Sequence, residues 1–238
     1  MHPRTHAASC STHQGLVRTR NEDAFRIGPQ VWVVADGMGG CPHGDIASKQ
    51  ATRSVTRVLA GTDQGVEWGL LEAVLTAHAD IERSAQRWPA HAGMGTTLVA
   101  AYRNDDGDVG IAHVGDSRAY LYRGGQLTRL TTDDNEAAEL VALGEINEEE
   151  ARSHAGQSLL TKALGLDQET APFPSIQVLP EATGRLLLCT DGLTGELDDA
   201  AIQELVAVGS PGAACEALVA AAIAEGGHDN ITVVVVDL

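Results

Sequence analysis

Six short apolar runs constrain the fold of this chain more than any other feature of its sequence. Each has the length of a β-strand and is too short for a typical helix. The runs are VWVVA (31–35), TTLVAAY (96–102), VGIAHV (109–114), AYLY (119–122), RLLLCT (185–190) and ITVVVV (231–236). Turn-like segments with the sequences NDDGD and RGGQ follow two of them, which favours antiparallel hairpins. A doubly wound parallel sheet is disfavoured, because it requires a helix between successive strands.

Helical periodicity occurs in pairs that flank the strand-like runs, so the chain is predicted to be an α+β protein. The first pair has apolar positions at helical spacing, namely Ala47, Ala51, Val55, Val58 and Leu59, then Leu70, Leu71, Val74, Leu75, His78 and Ile81. Gly61 and Pro89 are natural ends for these two helices. The second pair is predicted over residues 198–208 and 211–225.

The length of 238 residues and the 43% hydrophobic fraction suit one domain with a substantial core. No internal repeat, low-complexity tract or Pro/Ser linker divides the sequence, so residues 1–238 are expected to form a single domain. Within it, residues 133–165 are predicted to form a loosely anchored helical flap. The NEEE sequence at 147–150 is an N-cap followed by a glutamate three residues on, which marks a helix start there.

Charge and cysteine content exclude several classes of partner and location. With 33 acidic and 16 basic residues the net charge is −17, which disfavours binding to nucleic acid or to acidic membranes. The four cysteines form no C-x-x-C pair, as expected for free thiols in a reducing compartment such as the cytoplasm. The polar N-terminal segment and the lack of any long apolar stretch predict neither export nor membrane spanning.

Four aspartates lie at the ends of the predicted strands. Asp36, Asp116 and Asp191 each follow an apolar run, and Asp229 precedes one. Any one of them alone would be interpreted as a turn-former, but four carboxylates gathered at one end of a sheet would repel each other unless cations compensate. Oxygen ligands without adjacent His or Cys favour Mg²⁺ or Mn²⁺ over zinc. Only His228 adjoins one of these acids, and a structural role suits it better than a ligand role.

Glycines and an arginine lie beside these acids. Gly37, Gly39 and Gly40 would let the backbone after Asp36 bend sharply, so that the carbonyl of Gly37 could itself be a ligand; the alternative is a plain glycine turn. Arg18 precedes the NED sequence at 21–23 by three residues. It could form a surface ion pair with one of those acids, or its planar guanidinium could hold two phosphate oxygens.

The residues together carry a family resemblance. The sequences VRTRNEDA, VVADGMGG, GMGTTLVAA, HVGDSRAYL, LTTDD, LLTKALG, LLLCTDGL and HDNITVVVV occur in this order across residues 17–236. They resemble the metal-dependent serine/threonine protein phosphatases of type 2C in their compact bacterial form. The resemblance implies a four-layer α-β-β-α sandwich, in which two central antiparallel sheets are flanked by helix pairs and a metal-containing cleft lies at one end.

The resemblance also implies a role for each site residue. Asp36 would bridge two Mn²⁺ or Mg²⁺ ions, with Asp191 and Asp229 at the first and the Gly37 carbonyl at the second. Glu22 or Asp23 would contribute at the second ion, directly or through water. Asp116 matches a ligand of a third ion, shared with Asp191. Arg18 matches the phosphate-binding arginine of the family. Asn230 would either support Asp229 or only begin a strand.

The implied activity is hydrolysis of phosphoserine and phosphothreonine by direct attack of a water that the metal ions activate. Phosphorylated proteins would be the substrates, a bacterial serine/threonine kinase the opposing partner, and a monomer the expected state. Covalent routes are excluded, because no cysteine has an arginine six positions later and neither Asp36 nor Asp191 has an acid two positions later. The alternative is a catalytically weak module that binds phosphoproteins or a kinase, and retention of the core acids argues against it.

The sequence departs from the family at several positions near the expected cleft. Cys41 and Asp134 stand where bacterial relatives commonly have histidine, and Met38 replaces a histidine of many eukaryotic members. Lys162 replaces the usual arginine before ALG, which retains the charge and loses the planar fork. His43 is a candidate to compensate for Cys41. Altered substrate preference is expected from these changes, with activity retained.

Overall fold

The computed structural model describes residues 6–41, 43–166 and 171–238. Ten strands form two five-stranded antiparallel sheets, with the orders β1-β10-β9-β6-β7 and β2-β3-β4-β5-β8. The strands are β1 (Ala8–His13), β2 (Ala24–Ile27), β3 (Val31–Ala35), β4 (Leu98–Arg103), β5 (Val109–Val114), β6 (Arg118–Arg123), β7 (Gln126–Arg129), β8 (Ser175–Leu179), β9 (Arg185–Cys189) and β10 (Ile231–Asp237).

The helices are α1 (Gly44–Leu59), α2 (Val66–Arg87), α3 (Glu136–Ala142), α4 (Glu148–Ala151), α5 (Asp191–Thr194), α6 (Asp199–Val206) and α7 (Pro211–Glu225). Single 3₁₀ turns occupy Pro89–His91 and Ala155–Ser158. The helix predicted over 211–225 is confirmed as α7, and the one predicted over 198–208 is the shorter α6. Among the described residues, none of the helices combines the length and apolarity that crossing a membrane requires.

Three apolar layers explain why the central strands are hydrophobic on both faces. Alternate residues of β3 face different layers: Trp32 and Val34 pack between the two sheets, while Val33 and Ala35 pack under α1 and α2. The other sheet repeats the pattern, with Leu188 between the sheets and other residues of β9 and β10 under α6 and α7. The predicted four-layer α-β-β-α sandwich is confirmed.

All six apolar runs are strands, and the four strands that the sequence did not predict are the four sheet edges, β1, β2, β7 and β8. Edge strands bury less of their surface, so their sequences alternate weakly and are rich in polar residues. β8, for example, has three exposed residues out of five.

Candidate active site

The antiparallel pairing brings the acidic loops to one end of both sheets. Asp36 follows β3, and the neighbouring strand β2 begins just after Glu22 and Asp23. Because Ala24 pairs with Ala35, these acids come to the same end of the sheet as Asp36. In the other sheet, Cys189 pairs with Val233, so Asp191 after β9 adjoins Asp229 before β10. These loops meet in a cavity of about 250 Å³. Its lining includes Arg18, Glu22, Asp36, Gly37, Met38, Asp116, Asp191, Asp229 and Asn230.

All but one of the site residues that the sequence predicted therefore line this cavity. Asp23 does not line the cavity, whereas Glu22 does. Asp23 is only 8% exposed, and its Oδ2 accepts a hydrogen bond of 3.0 Å from Thr190 Oγ1. Of the two acids that the sequence left as alternatives, Glu22 lines the cavity and Asp23 is buried outside its lining.

Burial and mutual repulsion both disfavour negative charge on the acids of this cluster. Burial raises the pKa of Asp36 well above its ordinary value, and the charges of Asp23 and Asp191 raise it further. The pKa of Asp191 is also raised by burial, and the charge of Asp229 raises it further. Burial raises the pKa of Asp116 well above its ordinary value and that of Asp23 to about 7. Four carboxyl groups thus lie where negative charge is unfavourable without a compensating cation.

Two buried carboxylate oxygens, Asp23 Oδ1 and Asp191 Oδ1, have no hydrogen-bond partner among the described residues. Oxygens of this kind need a donor or a cation, and hard divalent ions with all-oxygen ligands match the chemistry of the cluster. Within residues 6–41, 43–166 and 171–238, no three His, Cys, Asp or Glu side chains are already close enough to enclose an ion. The donor set fits Mn²⁺ or Mg²⁺, with carbonyl groups and water completing the ligand shell.

Close backbone contacts at three glycines allow the acidic loops to converge. A Cβ atom on Gly37 would lie 2.4 Å from the carbonyl oxygen of Gly44 and 2.5 Å from that of Glu22. A Cβ on Gly192 would lie 2.1 Å from the carbonyl oxygen of Asn230, and one on Gly15 would lie 2.2 Å from that of Asp229. Gly15 and Gly192 were not among the predicted site residues, although each lies close in sequence to a residue of the cavity.

Arg18 lies at the mouth of the cavity and pairs with an acid that the sequence did not suggest. Its Nη2 donates a 2.5 Å hydrogen bond to Asp229 Oδ2, and this bond is the main reason why the pKa of Arg18 is raised. Asp229 is 211 residues away along the chain, so the sequence suggested only the nearby Glu22 and Asp23 as ion-pair partners. Since 45% of the Arg18 side chain is exposed, the guanidinium can also meet a ligand from solvent.

Asn230 joins two segments of the site. Its Nδ2 donates to the carbonyl oxygens of Gln14 (2.8 Å) and Arg20 (2.9 Å), and its Oδ1 accepts from the backbone N–H of Glu22 (2.8 Å). The Asn230 side chain therefore links the Asp229 loop to the segment that carries Arg18 and Glu22. These bonds support a role for Asn230 in holding the Asp229 loop in place, and not only in starting β10.

Thr96 and Thr97 hold the backbone of Asp36. Thr96 Oγ1 donates to the Asp36 carbonyl (2.7 Å), and the Asp36 N–H donates to Thr97 Oγ1 (3.0 Å). Both threonines are buried and pack behind the cavity instead of contributing reactive groups.

Comparison with known proteins agrees with this geometry. The family model for protein phosphatase 2C matches residues 13–221. The chain belongs to the protein phosphatase 2C family.

Two curated relatives and one solved structure show the extent of the similarity. The serine/threonine protein phosphatase PstP of Mycobacterium tuberculosis is 36% identical over 226 residues, covering 94% of this chain and 43% of that protein. This chain thus spans less than half the length of that relative. The serine/threonine phosphatase stp of Listeria welshimeri is 33% identical, with 97% of this chain and 95% of the relative covered. A crystal structure of the PstP catalytic domain in complex with 2 manganese ions has a TM-score of 0.87 at 33% identity, covering 98% and 97% of the two chains.

Two departures from the type 2C pattern compensate each other. Asp134 and Lys162 form an ion pair, with Lys162 Nζ 2.6 Å from Asp134 Oδ1. Asp134 Oδ2 also accepts a hydrogen bond from the backbone N–H of Gly115, the residue before Asp116. The acid in place of histidine and the lysine in place of arginine therefore act together to fix the loop that carries Asp116.

The other departures leave the cavity without a histidine on the loop after Asp36. His43 caps α1 in a left-handed conformation with φ of 56°, and its ring lies 5.3 Å from that of His91 in an edge-to-face contact. It does not line the cavity, so this structure gives no support to the expectation that it compensates for Cys41. Met38 does line the cavity, and its thioether cannot donate a proton.

The segment 133–165 covers one side of the site. The predicted N-cap at 147–150 is present as a capping box, since Asn147 and Glu150 each bond the other's backbone N–H. A second cavity of about 190 Å³ is bounded by Asp116 and Asp191 on one side and by residues of this segment on the other, including Gln157 and Ser158. His228, by contrast, turns away and bonds Glu196 Oε1 at 2.8 Å with 73% of its side chain exposed, which supports the structural role.

Proposed function

We propose that this chain is a Mn²⁺- or Mg²⁺-dependent protein serine/threonine phosphatase that hydrolyses phosphoserine and phosphothreonine without a covalent intermediate. The observation that carries the proposal is the convergence of Asp36, Asp191 and Asp229 on one cavity with Arg18 at its mouth. The relatives named above, which are serine/threonine phosphatases, support the same substrate class.

The resemblance to type 2C phosphatases implies which residues would hold the ions, and all of them line the two cavities described above. Asp36 would be shared between two ions, Asp191 and Asp229 would complete one, and the Gly37 carbonyl with Glu22 would serve the other. Asp116, which lines the second cavity together with Asp191, would hold a third. When bound, such ions activate water for direct attack on phosphorus and offset the charge of the phosphoryl oxygens.

The chain's own residues have three tasks. Thr96 and Thr97 fix the backbone of Asp36, and Asn230 holds the Arg18 segment against the Asp229 loop. Arg18 would exchange its bond to Asp229 for two phosphoryl oxygens of the substrate, to which a planar guanidinium is well matched. Such an exchange would keep the guanidinium paired, because the phosphoryl group replaces the carboxylate as its anionic partner.

Organisation, partners and location complete the proposal. Residues 1–238 would form one catalytic domain with 133–165 as its flap, an arrangement supported by the extent of the family match. The substrates would be phosphorylated proteins, and a serine/threonine kinase would supply them. A monomer in the cytoplasm is proposed from the free cysteines and the anionic composition.

The test is dephosphorylation of a phosphothreonine peptide, measured with Mn²⁺ and with excess chelator. Turnover that requires the metal is expected. If the peptide binds but is never hydrolysed under either condition, the chain is a phosphoprotein-binding module and the proposal is wrong.

A further inference from the structure

A groove between α1 and α2 carries a local excess of positive charge on a chain whose net charge is −17. Its volume is about 500 Å³, and its lining includes Lys49, Arg53, Arg57 and a single acid, Asp80. Asp80 is already neutralised, because Arg57 and Arg83 pair with it and Ser54 donates a 2.5 Å hydrogen bond to it.

The basic side chains form a regular row. Lys49, Arg53 and Arg57 are spaced by four residues on one helix, so they follow each other at intervals of about 6 Å along α1. All three are exposed. Arg53, at the centre of the row, has no ion pair in the part of the chain that the structure describes, whereas its neighbours pair with Asp45 and Asp80 at the two ends.

This row continues from the proposed active site. α1 begins at Gly44, whose backbone touches Gly37 of the cavity. The basic row therefore lies on the helix that starts beside the cavity, and Lys49, its first member, is five residues from that start.

We propose that the groove binds an acidic segment of the phosphoprotein substrate while the phosphoresidue lies in the cavity. Side chains on one face of an extended peptide repeat every second residue, at about 6.6–6.8 Å, which matches the spacing of the basic row. A protein segment is favoured over nucleic acid as the occupant, because the net charge of −17 repels a polyanion everywhere else. The proposal rests on the proposed phosphatase function and adds the substrate feature that it recognises.

The experiment compares two phosphothreonine peptides, one with Glu at alternate positions on both sides of the phosphothreonine and one with Gln at those positions. Wild type is expected to prefer the Glu peptide in kcat/KM at low salt. Arg53→Glu should reduce that preference about tenfold, since it replaces an attraction with a repulsion, and Lys49→Glu/Arg53→Glu should reduce it further. The helix should tolerate Arg53→Glu, because the new glutamate lies one turn from both Lys49 and Arg57 and attracts them.

Arg123→Glu is the matched control, since it makes the same charge change at an exposed position at the end of β6. It should leave the preference unchanged, and hydrolysis of p-nitrophenyl phosphate should vary by no more than about twofold among the single variants. Equal preferences in Arg53→Glu and Arg123→Glu, or no preference in wild type, would overturn the groove proposal.

A binding measurement separates this proposal from the phosphatase function. Fluorescence anisotropy of the labelled, unphosphorylated Glu peptide is measured in excess chelator, where no hydrolysis is required. Binding that Arg53→Glu weakens and Arg123→Glu does not would support the groove even if the protein proved inactive. Absence of turnover on every substrate would refute the proposed function alone, and absence of binding would refute the groove alone.

Discussion

Gly37→Ala is the most informative single substitution, because it tests whether close backbone contact is what assembles the site. The added methyl group would lie 2.4 Å from the Gly44 carbonyl oxygen, about 1 Å short of ordinary contact, and 2.5 Å from that of Glu22. Both obstacles are backbone atoms, so either the first turn of α1 or the Glu22 segment must move. Overpacking of this kind costs about 1–3 kcal/mol.

The consequences can be separated by two assays. For a domain of this size, each kcal/mol lowers Tm by about 2–4 °C, so thermal unfolding should shift by about 2–12 °C. A displacement near 1 Å at a reacting centre costs about 100-fold in rate, so kcat/KM should fall by that order even with saturating Mn²⁺.

Gly40→Ala supplies the matched control on the same loop. A Cβ at Gly40 has nothing within 4 Å, so Tm and kcat/KM should stay close to wild type. Equal behaviour of Gly37→Ala and Gly40→Ala would show that the loop is not held by these contacts, and the account of the site's assembly would be wrong.

Three further predictions concern individual side chains. Asp191→Asn should abolish turnover with the fold retained. It should also lose most of the stabilisation that Mn²⁺ gives wild type, which is about 2.7 kcal/mol at a hundred times Kd and is measured as a rise in Tm; near-native activity would remove Asp191 from the site. Arg18→Ala should raise KM for a phosphopeptide by about tenfold with less effect on kcat, and Arg18→Lys should be intermediate because it retains only the charge; an unchanged KM would contradict a phosphate-binding role. Asn230→Ala should weaken Mn²⁺ binding, measured by calorimetry, because three hydrogen bonds that position the Arg18 and Glu22 segment are lost; unaltered affinity would argue that these bonds do not organise the site.

The central strands and the long helices were predictable from sequence, and the sheet edges were not. β3, β5 and β10 are covered on both faces, so their apolar runs are unmistakable. The four edge strands carry polar residues on an exposed face, and α5 has only four residues, too few to show a helical period.

The acids of the site could be predicted because strand ends are recognisable in the sequence. Their partners could not, because each pair joins residues that are far apart along the chain. Nothing local indicates that Arg18 meets Asp229, or that Asp134 and Lys162 are one ion pair. The same holds for Gly15 and Gly192, whose role is set by the carbonyl groups of Asp229 and Asn230. Tertiary packing determines these pairs, so they become visible only in the folded molecule.

The central claim is that divalent ions compensate the carboxylates that this fold gathers in one cavity. Its most direct test is anomalous diffraction at the manganese edge from crystals grown with Mn²⁺. The account predicts at least two strong peaks inside the cavity, in contact with Asp36 and shared with Asp191, Asp229 and the Gly37 carbonyl. A cavity without anomalous density, in crystals whose only manganese lies elsewhere on the surface, would contradict it.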